Sequence, residues 1–168
     1  MAEFTVVIGN KNYSSWSLRG WLMAKIAGIE FEEIVVPLDL PETQTTIRKH
    51  SPSGRVPVLL HRGLAVWESL AIAEYLNDLK PEAGLWPPSA AARAHARSIS
   101  AEMHAGFVEL RNNMPMNIRA SYPGKGMTLA AVAPYRSDAL DVGAHRQRAH
   151  HFDMARLPQA LCRRLPEG

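Results

Sequence analysis

Three short polar segments of this sequence carry side chains suited to bind a small charged molecule. The first runs from Asn12 to Arg19 and holds Ser14, Ser15 and Ser17 at the start of a helix-like pattern. A helix start offers unpaired N–H groups and the positive end of the helix dipole, which stabilise an anion or a thiolate. Serine is also strongly preferred at helix N-caps, so spacing alone favours an ordinary cap by about two to one.

The second segment, residues 51–58, reads Ser-Pro-Ser-Gly-Arg-Val-Pro-Val and leads into a strand. Pro57 cannot donate to a β-ladder, so the Val56–Pro57 bond belongs at an edge or a turn, and a cis bond is suspected there. The third segment places Glu68 and Ser69 at another helix start. Glu68 suits an ammonium group, and Ser69 with the helix N–H groups suits a carboxylate. The alternative for residues 51–58 is a plain loop that leads into a hairpin, and the alternative for Glu68 and Ser69 is a second helix cap.

The elements around these segments follow from the apolar periodicity of the chain. β-branched and aromatic runs alternate with amphipathic stretches, and glycine or proline closes most of them. The predicted order is βαβα followed by ββα, in which a helix crosses over between two strands before a hairpin and a covering helix. The predicted strands are residues 4–8, 31–36, 57–60 and 64–67. The first predicted helix starts at Ser14–Ser15 and is closed by Gly28, the second covers residues 43–50, and the third starts at Glu68–Ser69 and is stopped by Pro81.

The second half of the chain has a different pattern, which is helical. Pro81 to Pro88 forms a proline-bearing connector, so a domain boundary is expected near residue 85. A single long helix is predicted from Ala90 to Asn113, and Pro115 ends it. Its apolar face must be covered by other helices, and consists of Ile99, Met103, Phe107, Leu110 and Met114.

Composition sets the class of protein. The chain has 168 residues, of which 46% are apolar and 21% charged, as in an ordinary folded domain. The most apolar stretch, residues 64–76, is interrupted by Glu68 and Glu74, so no membrane span and no membrane partner are predicted. The amino terminus lacks the basic and then apolar order of a signal peptide, so a cytoplasmic location is expected.

Charge and cysteine content exclude further classes. Residues 1–133 hold 13 Lys and Arg against 12 Asp and Glu, interspersed without a basic stripe, so nucleic acid is not an expected partner. The single cysteine, Cys162, excludes an internal disulfide and a paired-cysteine redox motif. The histidines at positions 145, 150 and 151 lack a metal-ligand spacing, so no metal is predicted.

The three polar segments together resemble the cytosolic glutathione S-transferases, nearest to serine-type bacterial and zeta-like members. The motifs that carry the resemblance are Tyr13-Ser-Ser-Trp-Ser-Leu-Arg19, residues 51–58, and Glu68-Ser-Leu-Ala-Ile-Ala-Glu-Tyr-Leu76. The resemblance extends over residues 4–125. It implies an α/β thioredoxin-like N-terminal domain (1–80), a linker (81–88) and an all-α C-terminal domain (89–168) that is incomplete.

The resemblance also implies a role for each motif. Ser14 aligns with the serine that activates the thiol of glutathione, with Ser15 as the fallback and with Ser17 and Tyr13 as weaker candidates. The cysteinyl backbone of glutathione would pair with Val56 before a cis Pro57, near Arg55. Its γ-glutamyl end would bind Glu68 and Ser69. The electrophile site would be formed by the helical domain, from His104, Phe107, Met114, Met116 and Arg119.

The implied function is conjugation of glutathione, as co-substrate, to a small hydrophobic electrophile, in a homodimer if the helical domain packs. The alternative is a glutathione-binding module whose incomplete helical domain leaves the electrophile site impaired. Trp16 stands where zeta-type maleylacetoacetate isomerases carry cysteine, which argues against that isomerisation. From about Pro134 the family pattern stops, and a frameshift or truncation in the gene is the favoured explanation. Translation of the coding DNA in the other two frames would test it.

Overall fold

The strand-like runs form one four-stranded mixed sheet in the computed structural model, which describes residues 2–132. The strand order is β2-β1-β3-β4, with β1 parallel to β2 and antiparallel to β3. The hairpin of β3 and β4 pairs Val58 with Trp67. The strands are β1 (Phe4–Ile8), β2 (Phe31–Val35), β3 (Val58–His61) and β4 (Leu64–Trp67).

Three helices cover the two faces of this sheet, as the alternation of apolar residues along β1 requires. Val6 and Ile8 face a core made with α1 (Ser15–Ile26) and α3 (Ser69–Leu79). Val7 faces the opposite side, against Ile47 of α2 (Thr43–Arg48). Each fully buried aliphatic side chain contributes about 1.5 to 3 kcal/mol. The predicted thioredoxin-like order, βαβαββα, is confirmed.

The packing of α1 beside the β3 entry loop depends on a glycine. A Cβ atom at Gly20 would lie 2.7 Å from both Cβ and Cγ of Pro57. The proline ring is rigid, so a side chain at position 20 would separate α1 from the Val56–Pro57 loop. Gly20 therefore sets the distance between two of the polar segments.

We expect Gly20→Ala to destabilise the fold by about 1 to 2 kcal/mol, because overpacking exceeds the gain in helix propensity. Urea unfolding of the purified chain measures this change. Ala24→Ser, in the same helix and also fully buried, provides a comparison of similar added size away from Pro57. An unchanged or higher midpoint for Gly20→Ala would show that the loop moves aside without cost.

The helical segment differs from its prediction. A single helix over residues 90–113 is wrong, since α4 (Ala90–Ala105) ends at Gly106 and α5 (Val108–Asn113) follows. Phe107 has a φ of 61°, which interrupts the helix between them. The Arg111 guanidinium donates to carbonyl oxygens of Met103 and Gly106 and so satisfies the open end of α4. Apolar spacing alone did not reveal this break.

A 3-10 turn (Pro81–Ala83) precedes α4, and a short α6 (Leu129–Val132) follows α5.

The outer surface of α4 remains open among the described residues. The helix contains no buried residue, and Ile99 is 51% exposed, whereas Met103, which is 38% exposed, accepts a bond from Arg19 Nη1 of α1 at 3.2 Å. Phe107 and Leu110 are half-buried, so the predicted apolar face is only partly exposed. Arg97 of α4 forms a two-pronged salt bridge with Glu74 of α3, at 2.7 and 2.8 Å. This pair, exposed at the surface, joins the helical segment to the sheet domain.

The described residues up to Ala131 form one compact unit. The domain boundary near residue 85 stays a prediction. The atypical tail from about Pro134, with Cys162 and the three tail histidines, lies outside the described residues. Between residues 2 and 132, no helix is long and apolar enough to cross a membrane.

Candidate functional site

The first polar segment forms a hydrogen-bonded link between β1 and the start of α1. Ser14 is the N-cap of α1, and its oxygen accepts a bond from the Ser17 N–H at 3.4 Å. The Ser14 hydroxyl donates to Ser17 Oγ at 2.9 Å, and the Gly9 N–H donates to the same oxygen at 2.9 Å. Ser17 is fully buried, whereas Ser14 is half-buried. The Ser14 hydroxyl is therefore held at the positive end of the helix dipole, with access to a ligand.

Ser15, the fallback, is the first residue of α1 and is also half-buried. Its hydroxyl has no hydrogen-bond partner among the described residues, so it is held less firmly than that of Ser14. Its carbonyl oxygen accepts from Arg19 Nε at 3.4 Å. Both serines lie in the helix-start position that the sequence predicts, and Ser14 has the more defined orientation.

The second segment brings its predicted residues to the same edge. The Val56–Pro57 peptide bond is cis, as the sequence predicted. β3 begins only at Val58, one residue later than predicted, so Val56 lies outside the strand ladder. Between residues 2 and 132, no hydrogen bond uses its N–H or C=O. Arg55 is exposed and lies 3.8 Å from Glu68 Oε1, which connects the second segment to the third.

The third segment places a carboxylate and a hydroxyl at the start of α3. Glu68 is the N-cap and has a φ of 71° and a ψ of 131°, an unusual conformation for a non-glycine residue. Residues held in sparsely populated conformations cluster at ligand sites, because the surrounding structure must stabilise them. Ser69 is 4% exposed, and its Oγ atom is buried without a hydrogen-bond partner in the described chain. An unsatisfied buried hydroxyl is costly, so a ligand group that hydrogen-bonds to this oxygen would remove that cost.

These segments enclose a small cavity of about 190 Å³. His104 of α4 closes one side, with Nε2 3.5 Å from Glu68 Oε2. The edge of its ring also meets Trp16, with centroids 4.9 Å apart. The side chains that line the cavity are Trp16, Arg55, Val56, Pro57, Glu68 and His104.

The sequence interpretation did not assign a site role to Trp16, Arg19 or Arg111. The Trp16 ring stacks on the Arg19 guanidinium at 3.9 Å, and Arg111 lies 5.1 Å from the same ring. Burial lowers the pKa of Arg19, and the charge of Arg111 lowers it further. The i, i+3 spacing of Trp16 and Arg19 could have suggested their contact. The position of Arg111 depends on the break after α4, which spacing did not show.

The remaining predicted electrophile residues do not line this cavity. Phe107 is half-buried in the break between α4 and α5, and Met114 is 42% exposed. Arg119 is exposed, but its N–H donates to Asn12 Oδ1 at 2.9 Å, which places residue 119 near the start of α1. Of the predicted electrophile set, the structure brings His104 to the cavity. No group of His, Cys, Asp and Glu suited to a metal ion occurs in the described part of the chain.

The sheet order and the cis-proline loop beside α1 place this chain among the thioredoxin-fold proteins. The family model of the glutathione S-transferase N-terminal domain matches residues 13–79, the stretch that contains the second and third polar segments and all of the first except Asn12. A probable glutathione transferase from Aplysia californica is 35% identical over 82 residues, which cover 87% of that protein and 49% of this chain. The chain belongs to the glutathione S-transferase family.

Two further relatives show which members of the family the chain is similar to and how much of their length it covers. A probable maleylacetoacetate isomerase from Caenorhabditis elegans is 35% identical over 98 residues, which cover 58% of this chain and 45% of that protein. Within the family, this chain is therefore zeta-like. A glutathione transferase homologue from Burkholderia, solved with bound glutathione, superposes with a TM-score of 0.56 at 29% identity, covering 65% of this chain and 57% of that one. The chain spans about half the length of these two relatives.

Proposed function

We propose that this chain binds glutathione in the cavity at the start of α1 and α3 and activates its thiol for transfer to a small hydrophobic electrophile. The observation that carries the proposal is the convergence of all three motifs on one place. Val56, Pro57 and Glu68 line the cavity, and Ser14 caps the adjacent helix two residues from Trp16. Glutathione bound in the Burkholderia homologue supports the choice of ligand.

Each part of glutathione has a group of matching chemistry. The Glu68 carboxylate suits the α-ammonium of the γ-glutamyl end, and the Ser69 hydroxyl with the α3 N–H groups suits the carboxylate beside it. The Val56 N–H and C=O suit the cysteinyl backbone, which would pair with them as an added strand does. Arg55, exposed beside Glu68, supplies a polar contact.

The reaction needs a thiolate, because the protonated thiol is a weak nucleophile. A free thiol has a pKa near 8.5, so it is mostly protonated at neutral pH. The Ser14 hydroxyl and the dipole of α1 together stabilise the anion and lower that pKa. The thiolate then forms a bond to carbon of the electrophile, and the leaving group departs with its electron pair, or the adduct takes up a proton.

Calorimetric titration of the full chain with glutathione tests binding, and conjugation to a generic aryl halide tests transfer. We expect saturable binding that weakens strongly for a glutathione analogue without the α-amino group. Absence of any glutathione binding would refute the proposal. Binding without measurable conjugation would favour the second candidate.

That second candidate is a glutathione-binding module with an impaired electrophile site. The exposure of α4 favours it, because no residue of α4 is buried and Ile99 is 51% exposed. Such a helix forms only one wall of a hydrophobic pocket. A homodimer and a cytoplasmic location remain predictions for either candidate, and light scattering of the purified chain tests the first.

We expect His104→Ala to raise the KM for glutathione about three- to tenfold and to leave the KM for the electrophile nearly unchanged. The reason is that His104 contacts Glu68 and Trp16 at the proposed glutathione cavity. Steady-state kinetics with each substrate varied in turn separate the two constants. His95→Ala, an exposed change on the same helix, is the matched control. A rise only in the electrophile constant would return His104 to the electrophile site.

A further inference from the structure

Ser17 is a buried hydroxyl at the candidate site to which no role is yet assigned. It is fully buried on α1. Its oxygen accepts two hydrogen bonds, from the Gly9 N–H at 2.9 Å and from the Ser14 hydroxyl at 2.9 Å. A serine used only to anchor α1 to β1 would need the first bond alone. The second bond makes Ser17 the partner of the proposed activating group.

The direction of the hydrogen bond between Ser14 and Ser17 changes when a thiolate is present. In the ligand-free arrangement the Ser14 proton points to Ser17, so it is not available to sulfur. Among the described residues, no acceptor takes the proton of Ser17 itself. If the Ser14 proton turns toward a thiolate, two oxygens 2.9 Å apart face each other. The uncommitted Ser17 proton can then turn onto Ser14 and restore the bond in the opposite direction.

We propose that Ser17 is a positioning residue that supports thiolate formation by donating to Ser14 when Ser14 donates to the glutathione sulfur. This inference rests on the proposed function, since it assumes glutathione at the α1 start. The resulting chain runs from the Gly9 N–H to Ser17, from Ser17 to Ser14, and from Ser14 to sulfur. The S–H bond of glutathione ionises and its proton leaves to water, while within the serine pair no covalent bond changes and only two hydroxyl protons rotate. Successive hydrogen bonds of this kind polarise one another, so Ser14 becomes a stronger donor.

Loss of the Ser17 hydroxyl should therefore act on the bound thiol without touching the peptide part of glutathione. We expect Ser17→Ala to raise the pKa of the bound thiol by about 0.5 to 1, which is roughly three- to tenfold less thiolate below that pKa. The dissociation constant of glutathione should change by no more than about twofold. A purely structural role would alter binding and stability and would leave the thiol pKa unchanged.

The experiment measures the ultraviolet absorbance of the thiolate of glutathione bound to the full 168-residue chain across a range of pH. The variants are Ser17→Ala, Ser14→Ala and the double variant, with Ser98→Ala as a helix-serine control, since the Ser98 hydroxyl donates to the Ala94 carbonyl of its own helix. Ser17→Thr keeps a hydroxyl and should restore most of the original pKa. Ser17→Cys keeps an atom near Gly9 but donates weakly, and serves if Ser17→Ala does not fold.

The outcomes distinguish a failure of the Ser17 role from a failure of the proposed function. The proposal requires that Ser17→Ala adds little to Ser14→Ala, because both changes interrupt one chain of hydrogen bonds. Full additivity, or an unchanged thiol pKa in Ser17→Ala or Ser17→Cys, overturns the role of Ser17 and leaves the proposed function intact. An unchanged thiol pKa in Ser14→Ala overturns the serine mechanism itself. Absence of bound glutathione overturns the proposed function and this inference with it.

Discussion

Ser14→Ala is expected to lower the turnover of glutathione conjugation about ten- to a hundredfold while the affinity for glutathione stays within a few-fold. The hydroxyl stabilises the thiolate and contributes little to holding the peptide part of the ligand. One charge-assisted hydrogen bond is worth roughly 1.5 to 3 kcal/mol, which converts to that range of rate. Steady-state kinetics with an aryl halide, together with calorimetry of glutathione binding, measure the two quantities.

The controls for this prediction separate catalysis from folding. Ser14 is an N-cap, so its loss also costs about 1 kcal/mol of stability. Ser89→Ala removes a comparable cap, since Ser89 Oγ accepts from the Ala92 N–H at 3.2 Å at the start of α4. It should lower stability and spare turnover. If Ser15→Ala is inactive and Ser14→Ala is unimpaired, the activating group is one residue further along. If neither variant is impaired, the serine mechanism is wrong.

The fold of the first 80 residues could be predicted because local patterns and tertiary packing agree there. The β1 run, the Ser14 cap and the Pro57 break each point to the element that forms. The cis bond before Pro57 also followed from proline chemistry. Short apolar strands closed by glycine or proline leave few alternatives.

The helical segment was less predictable because its apolar spacing continues through a break. Phe107 falls in register with Met103, so periodicity alone indicated one helix. The break is set by Gly106, by the positive φ of Phe107 and by the Arg111 contacts with the end of α4. Such contacts between a side chain and distant carbonyls leave no local signature in the sequence.

The candidate site also combines features that the local sequence predicts with features that depend on tertiary contacts. Motif chemistry selected Arg55, Val56, Pro57 and Glu68 from two separate segments, and the structure brings them to one cavity. It did not anticipate that His104 would contact Glu68, because that contact depends on the angle of α4. It ranked Ser17 below Ser14 and Ser15 and gave it no supporting role, since the burial of Ser17 is not visible in the sequence.

The second large effect is expected for Ser69→Ala, which should not lower the stability of the free protein but should weaken its affinity for glutathione. The free protein should keep its stability or gain slightly, because the Ser69 Oγ is buried without a partner and its removal relieves a desolvation cost. Affinity for glutathione should fall about tenfold, since the hydroxyl is proposed to bind the γ-glutamyl carboxylate at the α3 start, and such a charge-assisted bond is strong. Turnover at saturating glutathione should change little, because this end of the ligand does not react.

Thermal unfolding with and without glutathione, together with calorimetry, measures the stability and the glutathione affinity of the same variant. Ser98→Ala on α4 is the matched control, because it removes an exposed serine hydroxyl that bonds within its own helix. A glutathione analogue that lacks the γ-glutamyl carboxylate sharpens the result, since wild type and Ser69→Ala should bind it equally weakly. Lost stability in the free protein would mean that Ser69 supports the fold. Lost turnover with unchanged affinity would contradict a role in holding the unreactive end of glutathione.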